Sequence, residues 1–316
     1  MAKHPLRLWY ALLLLLLQGC TQSGLHRDLI QNVSSMAAER KVLAVYEPWF
    51  GHPKHISVGY SSQDPVVLRK QMDEAKSMGI SGFVVDWYGD REPFLDRSYA
   101  LIQSIAPEKQ FKVAMMYDET QARNGQATDD TLAAFDKFHR TYLAPDAPGR
   151  DAYLTYNGRP MIFIFPKSAQ TDWNRVRAET DQWDPKPLLI YVFRSTPYAN
   201  AFDGFYAWVN PGRKGFATDG SNWGGDYLHR FYQTMQSKYP DKIAIGAAWA
   251  GFDDSKASWS LNRHISQRCG QTFADTLKIS HEYAPQPFLL IATWNDYEEG
   301  TAIERGLKKC SPNNTN

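Results

Sequence analysis

Cysteine is scarce in this sequence, and neither sign of charge is in surplus. The 316 residues include 3 cysteines, and 35 Lys and Arg residues stand against 34 Asp and Glu residues, for a net charge of +1. An extended contact with nucleic-acid phosphates needs a basic surplus, so the charge balance excludes that class of partner. The sequence has no CxxC pair or His–Cys cluster, so a zinc site is not expected, and its acidic residues lack histidine partners and a calcium-loop spacing. No metal and no cofactor are predicted. It leaves the oligomeric state open.

Hydrophobic runs long enough to cross a membrane are also missing. The longest apolar run, Leu8–Leu17, is too short to cross about 30 Å of hydrocarbon as a helix. It follows the basic residues Lys3 and Arg7 and ends shortly before Cys20, an order typical of a secretory signal peptide. The alternative interpretation of this run is a buried core helix.

The tetrad Leu17-Gln18-Gly19-Cys20 resembles the bacterial lipobox. This resemblance implies a signal peptide over residues 1–19, lipidation of Cys20 and a tether over residues 20–40. The chain would then be an exported lipoprotein held at the bilayer, on the periplasmic face or at the cell surface, because several acyl chains give stable anchoring. In such a compartment Cys269 and Cys310 either form a disulfide or remain two free thiols.

Strand-like and helix-like segments alternate after residue 40. The strands are nearly continuous apolar runs, as expected for strands covered on both faces. This alternation predicts one (β/α)8 TIM barrel over residues 41–309 with a tail at 310–316, and no GxGxxG motif supports a dinucleotide-binding sheet. The stretch 194–204 is too short for a full helix. The predicted strands are Val42–Tyr46, Gly82–Trp87, Phe111–Tyr117, Met161–Phe165, Leu188–Phe193, Phe205–Val209, Ile243–Ala248 and Phe288–Trp294.

Acidic and aromatic residues are concentrated where the predicted strands end, which is where barrel enzymes place their active sites. A sugar offers an apolar face to an aromatic ring, and two carboxyl groups cleave a glycosidic bond. Taken singly, each tryptophan has core packing as its alternative role, and each carboxylate has a solvated loop. The candidate residues are Glu47, Trp49, Asp86, Trp87, Tyr88, Asp118, Glu119, Trp208, Trp249, Trp294, Asn295, Asp296, Tyr297, Glu298 and Glu299.

The most specific segment is Trp294–Glu304. It resembles the strand-eight signature of glycoside hydrolase family 99, the endo-acting α-mannosidases and α-mannanases, which reads Asn-Glu-Trp-x-Glu-Gly-Thr-x-Ile-Glu. It also resembles family 71, the α-1,3-glucanases, which reads Trp-Asn-Asp-Tyr-Gly-Glu-Ser. The segments 46–51 and 79–89 are similar to the opening blocks of family 99, so the resemblance reaches both ends of the barrel.

The family 99 resemblance implies a general base at Asp296, a general acid at Glu299 and a further acid at Asp118, with Glu119 as the alternative position for that further acid. Asp296 departs from the glutamate of family 99 and agrees with the aspartate of family 71. Family 99 retains the anomeric configuration with help from the sugar's own 2-hydroxyl, whereas family 71 inverts it with a water. The remaining candidates are expected to bind substrate.

Three functions are consistent with these residues. The first is a glycoside hydrolase acting on α-mannan or α-glucan. The second is a surface lipoprotein that binds glycans without cleaving them, which the aspartate at position 296 favours. The third is a role in assembling surface polysaccharide, against which the export signal argues because nucleotide sugars are cytoplasmic. In each case the partner is an oligosaccharide or polysaccharide.

Overall fold

A computed structural model was analysed. Every statement about the structure concerns the residues whose positions it describes. These are residues 31, 33–34, 36–37, 40–119, 125–167, 170–284 and 286–307, with only the backbone of Asp90.

Eight parallel strands close into a barrel, which confirms the predicted fold. The sheet closes because β3 pairs with β4 in register Met115↔Ile162 while β1 pairs with both β2 and β8. The strands are β1 (Lys41–Tyr46), β2 (Ile80–Trp87), β3 (Lys112–Asp118), β4 (Arg159–Phe165), β5 (Leu188–Val192), β6 (Gly204–Tyr206), β7 (Ile243–Ala248) and β8 (Phe288–Ile291).

Helices cover most of the barrel's outer face. The described helices are α1 (Pro65–Ser77), α2 (Pro93–Ile105), α3 (Ala127–Tyr142), α4 (Trp173–Thr180), α5 (Gly225–Lys238) and α6 (Gln271–His281). Asp64 caps α1 by accepting from the backbone N–H of Val66, and proline suits the first helical position. Only a short 3₁₀ turn, Ala199–Ala201, lies between β5 and β6, where the sequence left no room for a helix.

Buried side chains fill both the inside of the barrel and the layer between strands and helices. Every residue of β5 and β8 is buried, which explains why these strands are continuous apolar runs. Three strands end earlier than predicted, β5 by a single residue at Val192. β6 ends at Tyr206 and β8 at Ile291, so Trp208 and the segment from Ala292 onward belong to loops.

The described residues between 31 and 37 are helical and pack on the barrel, with Val33 and Met36 fully buried. Cys20 and Cys310 lie outside the described residues. Cys269, just before α6, is disulfide-bonded. No helix in the described ranges is long and apolar enough to cross a membrane.

Candidate active site

A cleft of about 680 Å³ opens at the carboxyl ends of the strands. Its walls carry five carboxyl groups that come from four different strand ends, although each lies far from most of the others in the sequence. This convergence follows from the parallel barrel, which brings all the carboxyl ends of its strands to one rim. The five are Glu47, Asp86, Asp118, Asp296 and Glu299.

A turn after β8 aims two of these acids into the cleft. Asp296 Oδ1 accepts from the backbone N–H groups of Glu298 at 3.0 Å and Glu299 at 2.8 Å. Gly300 follows with φ of +66°, a conformation that side chains disfavour. Since this segment is a turn and not a strand, Asp296 and Glu299 both line the cleft while Glu298 between them does not.

Asn295 fixes this turn to the end of β1. Its side chain donates to the Glu47 carbonyl at 3.0 Å and accepts from the Glu47 N–H at 2.7 Å. The amide is fully buried and does not line the cleft. Asn295 therefore holds the Glu47 backbone against the turn after β8 and has no direct access to the cleft.

Burial and mutual repulsion make these acids hard to ionise. Burial raises the pKa of Glu47 well above its usual range, and the negative charges of Asp86 and Asp296 raise it further. Burial also raises the pKa of Asp86, with Asp118 adding to the effect. The pKa of Asp118 rises only to about 6, because Lys167 opposes the effect of burial.

Lys167 is the cation that partly balances the cluster. Its Nζ lies 2.7 Å from Asp118 Oδ2 and 5.0 Å from the centre of the Tyr88 ring. Burial lowers the pKa of Lys167, but Asp118 and Asp86 outweigh this and hold it above its usual value. Asp86 Oδ1, Asp118 Oδ1 and Glu47 Oε2 are buried with no hydrogen-bond partner among the described residues. Such atoms suit a ligand with several hydroxyl groups.

Glu299 lies at the more open side of the cleft. Its Oε1 accepts from Trp259 Nε1 at 2.9 Å and lies 3.8 Å from the Arg263 guanidinium. Burial raises the pKa of Glu299, while Trp259 and Arg263 counteract part of the rise. Neither Trp259 nor Arg263 was among the residues predicted from the sequence, because both lie in a loop well beyond the end of β7.

That loop is held by one buried carboxylate. Asp254 is fully buried and accepts from the backbone N–H groups of Leu261 at 3.0 Å and Arg263 at 2.8 Å. It also accepts from Arg263 Nε at 2.7 Å and from Ser260 Oγ at 3.0 Å. Burial alone would raise the pKa of Asp254, but these donors hold it below its usual value. The loop therefore presents Trp259, which is 41% exposed, at the cleft.

Aromatic rings form one wall beside the acids. Trp49 stacks on His55 with ring centres 4.7 Å apart and planes at 4°, and Trp259 meets Trp49 edge-on at 6.0 Å. Trp208 and Tyr88 also line the cleft. A second cavity of about 420 Å³ adjoins this wall, and Trp49, His55, Tyr88 and Lys167 line both spaces.

The prediction that all the strand-end tryptophans bind substrate is wrong for three of them. Trp87, Trp249 and Trp294 are fully buried and do not line the cleft. Trp87 packs on Phe138 of α3, and Trp249 donates to the Trp223 carbonyl at 3.0 Å. These rings fill the core because their side chains point away from the barrel mouth.

Three further predicted binding residues lie behind the cleft wall. Glu119 is buried and accepts from the backbone N–H of Lys167 at 2.8 Å, and the Tyr297 hydroxyl donates to Glu304 at 2.6 Å. Glu298 is buried against His55. The structure gives these residues supporting positions without direct access to the cleft. No cluster of three or more His, Cys, Asp or Glu side chains in the described ranges has the arrangement of a metal site.

A carboxylate-lined cleft with aromatic walls at the carboxyl end of a (β/α)8 barrel is the arrangement of a glycoside hydrolase. The sequence model of glycosyl hydrolase family 99 matches residues 51–315, and the chain belongs to this family. The resemblance found in the strand-eight segment is thereby confirmed.

Mammalian proteins of similar sequence are consistent with membership of this family. The glycoprotein endo-alpha-1,2-mannosidase-like protein of Mus musculus is 21% identical over 276 residues, which cover 80% of this chain and 58% of the relative. The glycoprotein endo-alpha-1,2-mannosidase of Rattus norvegicus is 23% identical over 278 residues, which cover 80% of this chain and 56% of the relative. The chain thus spans less than two thirds of the length of these proteins.

A solved structure shows the same fold. The GH99 endo-alpha-mannosidase from Bacteroides thetaiotaomicron superimposes with a TM-score of 0.65 at 19% sequence identity. The match covers 84% of this chain and 87% of that one. It supports the barrel architecture over nearly the whole of both chains.

Proposed function

We propose that this protein hydrolyses α-linked, mannose-containing glycans with Glu299 as general acid and Asp296 as general base. The observation that carries the proposal is that both carboxyl groups line one cleft with three further acids and an aromatic wall. Such a cleft offers an apolar surface to sugar faces and acceptors to sugar hydroxyls. An α-glucan is the alternative substrate class.

The surroundings of the two acids support different roles. Asp296 Oδ1 accepts two backbone N–H groups, which favour its ionised form, as a base requires. Glu299 Oε1 is occupied by the Trp259 N–H, which leaves Oε2 to hold a proton for the leaving group. Burial opposes the effect of these donors and raises the pKa of Asp296 well above its usual value, and the charge of Glu299 raises it further.

Cleavage of the glycosidic bond needs one proton to be donated to the leaving oxygen and another to be removed from the attacking hydroxyl or water. Glu299 gives its proton to the glycosidic oxygen, and the leaving sugar departs as a neutral alcohol while positive charge develops at the anomeric carbon. Asp296 takes a proton either from the 2-hydroxyl of the same sugar, whose oxygen then bonds to the anomeric carbon, or from a water that attacks that carbon directly. In the first route a water next attacks the anomeric carbon and gives a proton to the Glu299 carboxylate, while the bond to the 2-oxygen breaks and Asp296 returns its proton to that oxygen. The first route retains the anomeric configuration and the second inverts it, so NMR of the first-formed product distinguishes the two routes.

Substrate choice follows from the relatives. The mouse and rat proteins are named as endo-alpha-1,2-mannosidases or as similar to them, and the bacterial structure as an endo-alpha-mannosidase. The cleft is bounded by residues that follow several strands and has a volume of about 680 Å³. We therefore propose internal cleavage of an α-mannan chain.

The test measures turnover of α-mannan, α-mannosyl oligosaccharides and α-1,3-glucan by the wild type, Glu299→Gln and Asp241→Asn. Asp241 is an exposed acid at the opposite end of the barrel, just before β7, and serves as the matched control. The proposal expects mannoside cleavage that Glu299→Gln abolishes and Asp241→Asn preserves. Equal turnover by wild type and Glu299→Gln would contradict the assignment.

A glycan-binding protein without turnover is the second candidate. The aspartate at position 296 favours it, since its arm is one methylene shorter than that of glutamate and its Oδ1 is held by two backbone donors. Misplacement of about 1 Å costs roughly 100-fold in rate. Binding by the wild type without cleavage, together with cleavage by Asp296→Glu, would establish this second function.

The location of the protein is a separate proposal. We propose that residues 1–19 are removed and that Cys20 is lipidated, on the strength of the apolar run and the lipobox-like tetrad. The protein would then meet its glycan outside the cytoplasm. Mass spectrometry of the membrane fraction tests this, since Cys20→Ala should leave the mature N-terminus without an acyl group.

A further inference from the structure

A histidine–carboxylate pair lies at the edge of the proposed sugar site. Glu298 is 2% exposed, and its Oε2 lies 2.7 Å from His55 Nδ1. Its other oxygen, Oε1, accepts from the backbone N–H of Ile56 at 3.0 Å. Both oxygens of this buried carboxylate are therefore used by the loop that follows β1.

The pair is not needed to attach that loop to the catalytic motif. Asn295 already joins the motif to the Glu47 backbone through two hydrogen bonds. The Tyr60 hydroxyl donates to Glu304 at 2.9 Å, which fastens the other end of the loop. The additional effect of Glu298 is to orient the imidazole ring of His55.

The ring is oriented by two contacts at right angles to each other. Trp49 stacks on its face at 4.7 Å, and Glu298 holds Nδ1 in the plane of the ring. His55 Nε2 has no hydrogen-bond partner among the described residues, and the ring lines both the main cleft and the second cavity. The His55 ring is therefore part of the boundary between the two spaces.

A carboxylate beside one imidazole nitrogen determines where the ring proton lies. An ionised carboxylate only accepts hydrogen bonds, so the proton lies on Nδ1 in both the neutral and the charged ring. This arrangement leaves Nε2 to face a substrate. Glu298 is the neighbour of Glu299, so the same turn positions the proposed acid and the histidine.

We propose that His55 Nε2 contacts a hydroxyl of the glycan where it passes from the main cleft into the second cavity, and that Glu298 is its positioning residue. This inference rests on the proposed function, because it needs a glycan in the cleft. It assigns the second cavity, which His52, Lys54 and Arg91 help to line, to a sugar ring beyond the one that is cleaved.

The substitution Glu298→Gln tests the positioning role with little change in shape. The Ile56 N–H still requires an acceptor, so the amide oxygen remains there and the amide NH₂ group faces His55 Nδ1. Nδ1 must then accept, and the ring proton moves to Nε2. ¹⁵N NMR of histidine-labelled protein should show a protonated Nδ1 in the wild type and the Nε2–H tautomer in Glu298→Gln.

The substitution His55→Phe tests the sugar contact, because phenylalanine keeps the stacking on Trp49 but lacks both nitrogens. His139→Phe is the matched control. His139 lies on α3, does not line the cleft, and stacks on Trp183 with ring centres 4.0 Å apart. Losing one hydrogen bond should raise KM of a long oligosaccharide about fivefold and leave kcat within about twofold. A substrate too short to reach the second cavity should show a smaller rise in KM than the long oligosaccharide, because it lacks the ring that His55 Nε2 would contact.

The outcomes separate this inference from the proposed function. An unprotonated His55 Nδ1 in the wild type, or a KM unchanged in both His55→Phe and Glu298→Gln, overturns the inference while mannoside cleavage stands. Absence of cleavage and of glycan binding in the wild type overturns the proposed function and the contact together, and the NMR result then reports the ring geometry alone. A shift in KM with the expected tautomers supports both.

Discussion

Two groups of tryptophans near the barrel mouth have opposite environments. Trp49, Trp208 and Trp259 line the cleft, whereas Trp87, Trp249 and Trp294 are fully buried in the core. The end of β2 places side chains in both environments at consecutive positions. Asp86 and Tyr88 line the cleft, and Trp87 between them points outward to the helix layer. Position near a strand end therefore does not define a sugar-binding ring, because alternate side chains face opposite sides of the strand.

The comparison predicts that substitutions at the cleft affect catalysis and substitutions in the core affect folding. Glu299→Gln should have the largest effect. A missing general acid typically costs 10²–10⁴ in rate, so we expect kcat to fall about 1,000-fold. The free energy of unfolding should change by less than about 1 kcal/mol, because the amide keeps the Trp259 hydrogen bond. Steady-state kinetics and urea denaturation measure the two effects. A large decrease in the free energy of unfolding of Glu299→Gln would contradict the proposed difference between cleft and core residues.

Trp87→Ala should show the reverse pattern. Removing a buried tryptophan costs about 3–5 kcal/mol, and we expect the lower end. Asp96, which accepts from Trp87 Nε1 at 3.0 Å, keeps its bonds from Lys137 and the Tyr142 hydroxyl. Urea denaturation should show the loss, while the folded fraction retains its KM. Trp87→Phe is the control and should recover most of the stability. A raised KM with normal stability would mean that Trp87 belongs to the cleft group.

The cleft acids should make the protein less stable as pH rises. Burial raises the pKa of Asp118 to about 6 from an ordinary value of 3.8, so between these limits the folded chain binds more protons than the unfolded chain. Stability is then fully present below about pH 4 and is lost as pH rises through 6, by on the order of 3 kcal/mol for this group. Denaturation at pH 4, 5, 6 and 7 should show this slope. Asp118→Asn should flatten it, and Asp241→Asn should not.

Trp259→Phe should have the smallest of these effects. Phenylalanine keeps an aromatic surface but cannot donate to Glu299 Oε1, which lies 2.9 Å from the indole nitrogen. The lost donor raises the pKa of Glu299 a little further, so the basic limb of the pH–kcat profile should move to higher pH. KM should change by about fivefold or less, and unfolding should be unaffected. An unmoved profile would separate Trp259 from the acid.

Sequence patterns were sufficient for the barrel and for the acids at its rim. Buried parallel strands are continuous apolar runs, and strand ends mark the rim, so Glu47, Asp86 and Asp296 were all predicted. The same burial on both faces removes the alternation of polar and apolar residues. Nothing local therefore distinguishes the outward ring of Trp87 from the cleft ring of Trp49. Trp259 and the His55–Glu298 pair depend on contacts between distant loops, which a single sequence does not display.

The buried carboxylate of Asp254 has a consequence for how this cleft can diversify. It fastens both flanks of the loop that carries Trp259 through contacts made within residues 254–263. The fold of the loop is thus largely self-contained, and its exposed tip at Leu261 makes little contact with the barrel. A substitution at Leu261 therefore needs no compensating substitution in the strands. Substitutions confined to Leu261 would leave the side-chain contacts of Asp254 in place, whereas exchange of the whole loop would also remove the hydrogen bond from Trp259 to Glu299.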